Sequence, residues 1–246
     1  MDRLLIQRRA SQIREKLGVD LNSPIDLFSL VSADTDLTLV VYPFKKEISG
    51  ICIKTAKLIA INSNSTHGRK MFSLAHELYH YYFGGEQTTV SYFFEDKNTA
   101  KIEKEANLFA SYLLMPDSSF SNLCDKLTQN RKDKIDVIKI MEIEQYFRTS
   151  RKAVLTRLMI DNIITSEEES QFSTDIIKTA KRYGYDISLY LPSDSNIPKT
   201  YGAYLKKALK LKNEGIISDG KYEEYLFDAN RSDIVFDDNG EDEIYD

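Results

Sequence analysis

His76-Glu77-Leu78-Tyr79-His80 brings two imidazoles and a carboxylate into five consecutive positions, and two of the three histidines of the chain lie there. On a helix of 3.6 residues per turn, positions 76 and 80 stack on one face. Both rings can then reach a single metal ion, with Glu77 beside it to handle a proton. The string reads as a zinc-peptidase signature. Its ordinary alternative is a pair of core histidines satisfied by hydrogen bonds, which sets three polar groups in an apolar surround with no metal to satisfy them. Zinc needs a third protein ligand and an open position for water. His67 lies before the motif, in the loop expected at the helix start, while Cys52 sits in a strand-like run and Cys124 lies apart from it. A carboxylate is the natural third ligand. The best-placed one lies in Ile102-Glu103-Lys104-Glu105-Ala106-Asn107-Leu108-Phe109 and the residues that follow to Pro116. Glu105 shares a face with Ile102, Ala106 and Phe109 and is expected to point to the packed side. Glu103, about 200° away around the helix, is the reserve. A solvated helix glutamate is the ordinary reading of Glu105 taken alone.

The elements that must position these residues are legible as patterns. Met71, Leu74, Ala75, Leu78 and Tyr82 follow the spacing of a buried helical stripe, and Gly84-Gly85 stops it. Ile102, Ala106, Phe109, Ala110 and Leu113 make a second such stripe, ended at Pro116. Before them, residues 3 to 17 suggest an amphipathic helix and Ser23-Pro24-Ile25-Asp26 a capped one with proline in its first turn. Three β-rich runs follow, Leu37 to Tyr42, Ser49 to Lys54 and Lys57 to Asn62, and read as a small three-stranded sheet. The last of them is expected to line the cleft, where an extended peptide could add as a strand. Glu86 to Thr99 is a loop over the cleft or part of its wall.

The pair HELYH and EKEANLFASYLLMP, with a short connection, resembles the ImmA/IrrE family of metallo-endopeptidases. Arg69 seven residues before His76, the run Phe72-Ser73-Leu74-Ala75 into the motif and the strand end Ile59-Ala60-Ile61-Asn62 add to the likeness, which covers about residues 1 to 160. Residue by residue, the resemblance implies zinc on His76, His80 and Glu105, with Glu77 as general base. It departs at Tyr79, where the family often carries a small residue, and this bears on local packing or pocket shape. Zinc on such a ligand set lowers the pKa of its water towards about 7 and polarises the scissile carbonyl. Glu77 then takes the proton and passes it to the leaving amine. His67, Tyr79, Tyr81, Tyr82 and Tyr92 are the candidates for holding the oxyanion. Arg69 could bind a substrate carboxylate or brace the helix, and bracing is preferred.

The fold expected is α+β: a mainly helical, zincin-like peptidase core over residues 1–125 with its small sheet, a helix-turn-helix-like segment at 126–165, a helical region at 166–232 and an acidic mobile tail at 233–246. In the second of these, Ser150 caps a helix packed through Ala153, Val154, Leu155 and Leu158. Residues 131 to 160 hold eight bases and four acids, so Arg148, Arg151, Lys152 and Arg157 could meet phosphates. Such helix pairs often serve only to pack, and DNA binding is not favoured. Further on, Tyr201 to Leu209 and Ser218 to Leu226 read as helices, and Asp194 to Pro198 as a loop. The net charge of −5 conceals an asymmetry: residues 233 to 246 carry seven acids and no base, leaving 33 bases against 31 acids elsewhere. The tail could shield a cleft, although a solvated terminus is the plainer reading.

No run of about 18 uncharged apolar residues is present and the N-terminus does not look like a secretory signal, so a membrane span is not expected. Two distant cysteines make no disulfide framework, which fits the cytoplasm. These features converge on a cytoplasmic, zinc-dependent endopeptidase. The resemblance implies a specific regulatory protein as its substrate, such as a helix-turn-helix repressor. The alternative is a DNA- or protein-binding regulator, or a toxin-like partner of an antitoxin, whose metal site is structural or nearly idle.

Overall fold

The computed structural model describes residues 2–34, 36–85, 87–92, 100–130, 132–192 and 197–237. The N-terminal half runs α1 (Arg3–Lys16), α2 (Leu27–Ser32), β1 (Thr38–Tyr42), β2 (Ile48–Ile53), β3 (Leu58–Asn62), α3 (His67–Phe83), β4 (Thr89–Tyr92) and α4 (Lys101–Leu114). The rest is α5 (Asp117–Leu127), α6 (Val137–Phe147), α7 (Arg151–Ile160), α8 (Ser166–Phe172), α9 (Ile176–Arg182), β5 (Lys199–Gly202), α10 (Ala203–Asn213), α11 (Asp219–Asp228) and α12 (Ser232–Asp237). The α+β expectation holds, but the sheet has five strands rather than three, in the order β4-β2-β3-β1-β5. β1 and β3 are parallel and the remaining pairs antiparallel.

The two added strands are edges. β4 lies within the segment left open as loop or wall, and pairs with β2 through Val90 opposite Ile51. β5 takes Tyr201 and Gly202 from the expected helix, because Tyr201 pairs with Leu39 while the chain turns at Gly202, φ +80, into α10. A Cβ on Gly202 would sit 2.4 Å from the Leu37 carbonyl oxygen, so the turn is closed to other residues. The C-terminal region thereby completes the sheet of the N-terminal one.

α3 packs on β2 and β3 with Leu74, Ala75 and Leu78 fully buried. Thr66 caps its start by accepting from the Arg69 N–H, and Gly84 N–H closes its end on the His80 carbonyl. The end of β3 is held by Asn62, whose amide donates to Ile48 O at 2.7 Å and Lys45 O at 3.2 Å. α4 is covered on two sides, by α3 and by α1. The buried Arg14 on α1 donates to Leu113 O at 2.6 Å and to Asp20 O at 2.8 Å, fastening α1 to the end of α4.

α2 starts later than expected. Asp26 is its cap, accepting from Ser29 N–H, so Pro24 precedes the helix. Ser23 N–H is already taken by the Asp20 carboxylate at 2.7 Å. α6 and α7 form the expected helix pair, with Arg148 left-handed at the turn and Ser150 capping α7. Arg151 and Arg157, however, are interior: their exposures are 3% and 0%. Arg151 pairs with Glu144 and donates to Phe172 O at 2.7 Å. Arg157 joins Met115 O, Asp117 and Asp161, with its guanidinium over Tyr112 and Phe120. Of the four cations nominated for phosphates, only Arg148 and Lys152 are exposed.

A smaller apolar cluster of Met141, Ala180, Leu189 and Tyr190 seats the next helices against α6. The start of α3 is tied to the same region, since His67 N–H donates to Leu191 O at 3.0 Å. Ser218 caps α11, accepting from the Lys221 N–H. α12 covers the first residues of the acidic terminus, where Asp233 accepts from Arg231 at 2.9 Å and Lys199 at 3.3 Å. Residues 238–246 of that tail and 194–196 of the Asp194 to Pro198 loop lie outside the described residues.

Candidate metal centre

α3 places His76 and His80 one turn apart, and their Nε2 atoms approach to 3.1 Å. A carboxylate from α4 meets both: Glu103 Oε2 is 3.1 Å from His76 Nε2, and Glu103 Oε1 is 3.2 Å from His80 Nε2. His76 Nδ1 is 2.8 Å from Asn107 Oδ1, a contact that assigns the proton to Nδ1 and leaves Nε2 as the donor atom. Glu103 and Asn107 are four residues apart and share one face of α4. Asn107, which sequence reasoning had not singled out, carried that i, i+4 relation to Glu103 as its signal.

The third ligand expected was Glu105, and the structure places it elsewhere. Its carboxylate accepts from Tyr79 Oη at 2.7 Å, and Lys101 Nζ lies 3.7 Å away. Tyr79 Oη in turn accepts from Arg9 at 2.7 Å, and the Arg9 guanidinium lies over the rings of Tyr79 and Phe83. The reason for the correction is that α4 has two packed sides. Reasoning from one apolar stripe chose the side where Tyr79 of α3 meets Arg9 of α1, whereas the histidines of α3 meet Glu103, about 200° round the helix. Tyr79, the point of departure from the family pattern, is thus the partner that occupies Glu105. Burial and that bond push its hydroxyl up to about 12, so it stays a donor at neutral pH.

Glu77 is fully buried on the sheet side of α3. Neither of its oxygens has a hydrogen-bond partner among the described residues, nor does His80 Nδ1. Burial pushes the Glu77 carboxyl upward, against the pull of His76, of the Ser91 hydroxyl that faces it without completing a hydrogen bond, and of His80. Gly50 of β2 makes the room: a Cβ there would stand 2.7 Å from Glu77 Oε1 and 2.8 Å from Cγ. Cys52 on the same strand is raised to about 12 by burial and by Glu77, which keeps it a thiol.

The groups of the cluster bias one another's charge. Burial opposes charge on His76, yet Glu103, Glu77 and Asn107 outweigh it and raise the imidazole. Burial would likewise raise Glu103, yet the two histidines hold it at about 2. Two imidazole nitrogens and one carboxylate oxygen lie within 4.8 Å of one another, the donor set of a catalytic metal site with three protein ligands. Unpartnered buried oxygens on Glu77 beside that set accord with the same assignment.

A cavity of about 530 Å³ opens onto His76 and runs along α4 to α7, with Ser49 of β2 and Tyr92 of β4 in its wall. β3, expected to line the cleft, is interior to the sheet, and the cleft strands are β2 and β4. Of the five candidates for the oxyanion, Tyr92 alone is on this wall among the described residues. His67 is the first residue of α3, away from the cavity. Tyr82 lies under the Lys16 ammonium. Arg69 is exposed and lines the cavity.

No curated protein matches the chain. A family model described as Peptidase_M78, IrrE N-terminal-like domain, matches residues 25–159, from just before α2 to the end of α7. That stretch contains the histidine pair, Glu77, Glu103 and the strands that wall the cavity. Because the match spans more than half of the chain, the protein belongs to this IrrE-like metallopeptidase family.

Proposed function

We propose that the chain is a zinc-dependent endopeptidase, acting in the cytoplasm, that cuts one regulatory polypeptide, a helix-turn-helix repressor or a similar partner. The observation that carries this reading is the convergence of His76 Nε2, His80 Nε2 and Glu103 next to a buried, unpartnered Glu77 at the head of an open cavity. His76, His80 and Glu103 would hold the metal, and Asn107 would orient His76. When bound, zinc supplies Lewis acidity toward a carbonyl and toward water. Glu77 is the proton carrier: it accepts from the attacking water and returns the proton to the leaving amine. Burial raises its pKa, the direction that makes a carboxylate a better proton acceptor. Tyr92 offers its hydroxyl to the developing oxyanion. β4, an edge strand among the described residues, gives an extended polypeptide backbone groups to pair with, which favours polypeptide over a small amide. Two buried free cysteines accord with a reducing compartment. The burial of Arg151 and Arg157 removes half of the basic set on which a DNA-reading role rested.

The test joins metal content to cleavage. One zinc per chain is expected, and Glu77→Gln retains it, abolishes cutting and traps the substrate from the native host. Absence of bound metal, or cleavage that survives His76→Ala, would sink the reading.

A further inference from the structure

The wall of the cavity is charged in one sense. Arg69 of α3, Lys104 of α4 and Lys152 of α7 all line it together with His76. Among the described residues no Asp or Glu joins that lining, apart from the Glu103 carboxylate within the histidine cluster. All three cations are exposed, and neither Lys104 nor Lys152 enters an ion pair among the described residues. Three separate helices therefore deliver positive charge to one concave surface, where field lines concentrate. A second cavity of about 620 Å³ shares Arg69, Ser150 and Lys152 with the first, so the two form one groove. In that outer part the sign is mixed, with Glu169 and Asp175 set against Lys178.

Taking the peptidase reading as its premise, we infer that the groove selects a polypeptide carrying acidic side chains close to the bond to be cut. The chemistry requires a strand-like peptide to pass His76, and the residues flanking the scissile bond then lie against Lys104, Lys152 and Arg69. Acidic side chains there are attracted by Lys104 and Lys152, and basic ones meet like charge. The mixed outer groove imposes no such sign, so the preference is confined to positions near the cut. Since these cations are exposed, the preference weakens with salt.

The experiment uses the full-length, zinc-loaded Glu77→Gln chain and short fluorescent peptides of one sequence with acidic, neutral or basic residues at the centre, read by anisotropy. The acidic peptide is expected to bind roughly tenfold more tightly than the neutral one, with the basic one weakest. Adding Lys104→Glu and Lys152→Glu should reverse that order without changing metal content. Equal binding of the three peptides, or an order unchanged by the two reversals, overturns the inference. Binding restricted to a peptide of residues 233–246 also overturns it, because the occupant would then be the terminus of the chain itself. The same holds if a single-stranded oligonucleotide binds with this lysine dependence and acidic peptides do not. The premise fails separately: the acidic peptide binds in the expected order, yet the wild-type chain cuts neither it nor any other.

Discussion

Two glutamates two positions apart on α4 meet different side chains of α3, and the difference is measurable. Glu103 meets both imidazoles, whereas Glu105 receives the Tyr79 hydroxyl. Glu103→Gln should lower zinc affinity at least 100-fold, since it removes a charged ligand where loss of a supporting contact already costs about 10- to 100-fold. Glu105→Gln should leave stoichiometry and affinity intact and destabilise the fold by about 1 kcal/mol, the order of one hydrogen bond to a charged group weakened. Chelator competition with zinc and denaturant unfolding of the same two variants decide between them. Equal zinc loss in both would return Glu105 to the ligand set. Tyr92 makes the other prediction at this scale. Tyr92→Phe is expected to lower kcat by about 100-fold with little change in KM, as for loss of one oxyanion donor. A change in KM alone would make Tyr92 a binding residue instead. The sequence exposed His76, Glu77 and His80 through spacing alone, because an i, i+4 pair on a helix has one geometry. It did not expose which α4 carboxylate meets them, because both glutamates reach α3 and only the packing of the helices sets Glu103 against the histidines and Glu105 against Tyr79.

At the scale of elements, the approach of α3 to β2 is set by one missing side chain. Gly50→Ala forces a Cβ into contact with the Glu77 carboxylate. The variant is expected to bind zinc while losing most cleavage, at a stability cost of about 1 to 3 kcal/mol for overpacking. Unchanged turnover would show that Glu77 can move aside and still work. The helix pair α6–α7 makes a different prediction. Arg151 is buried against Glu144, which Tyr190 Oη also bonds at 2.7 Å. Arg151→Glu should therefore destabilise the chain by at least about 3 kcal/mol, as breaking a buried pair does. Arg148→Glu and Lys152→Glu lie on the surface and should change stability by less than about 0.5 kcal/mol. Thermal unfolding of the three variants is the check, and a stable Arg151→Glu protein would mean that this pair does not hold the turn. Charge counting across 131 to 160 could not separate these residues, since burial of a guanidinium depends on a carboxylate seven positions away being turned inward.

Across the whole molecule, the two halves of the chain share one sheet. β5 covers the edge of β1, and α10 and β5 close over Leu37, which is 1% exposed. A chain ending at Pro192 should lose this cover, unfold at a lower denaturant concentration and associate through the bared β1 edge. Light scattering together with urea unfolding would show it, and a truncated chain as stable and monomeric as the parent would make the C-terminal region an appendage. The strands at 38–42, 48–53 and 58–62 were visible as β-rich runs, and α3 and α4 as apolar stripes. β4 and β5 were not, because four residues carry too little periodicity to announce a strand, and each is made one by the edge it meets. What the sequence by itself determined is what local geometry dictates: the facing histidines, the adjacent Glu77, the main helices with the cap at Ser150, and the family. What only the tertiary structure decided is what depends on pairs of elements: the placement of Glu103 at the histidines and of Glu105 at Tyr79, the interior place of Arg151 and Arg157, and the grouping of Arg69, Lys104 and Lys152 around one groove. The division is physical, since a helix presents every side chain to some direction, and only its packed neighbours determine what each direction contains.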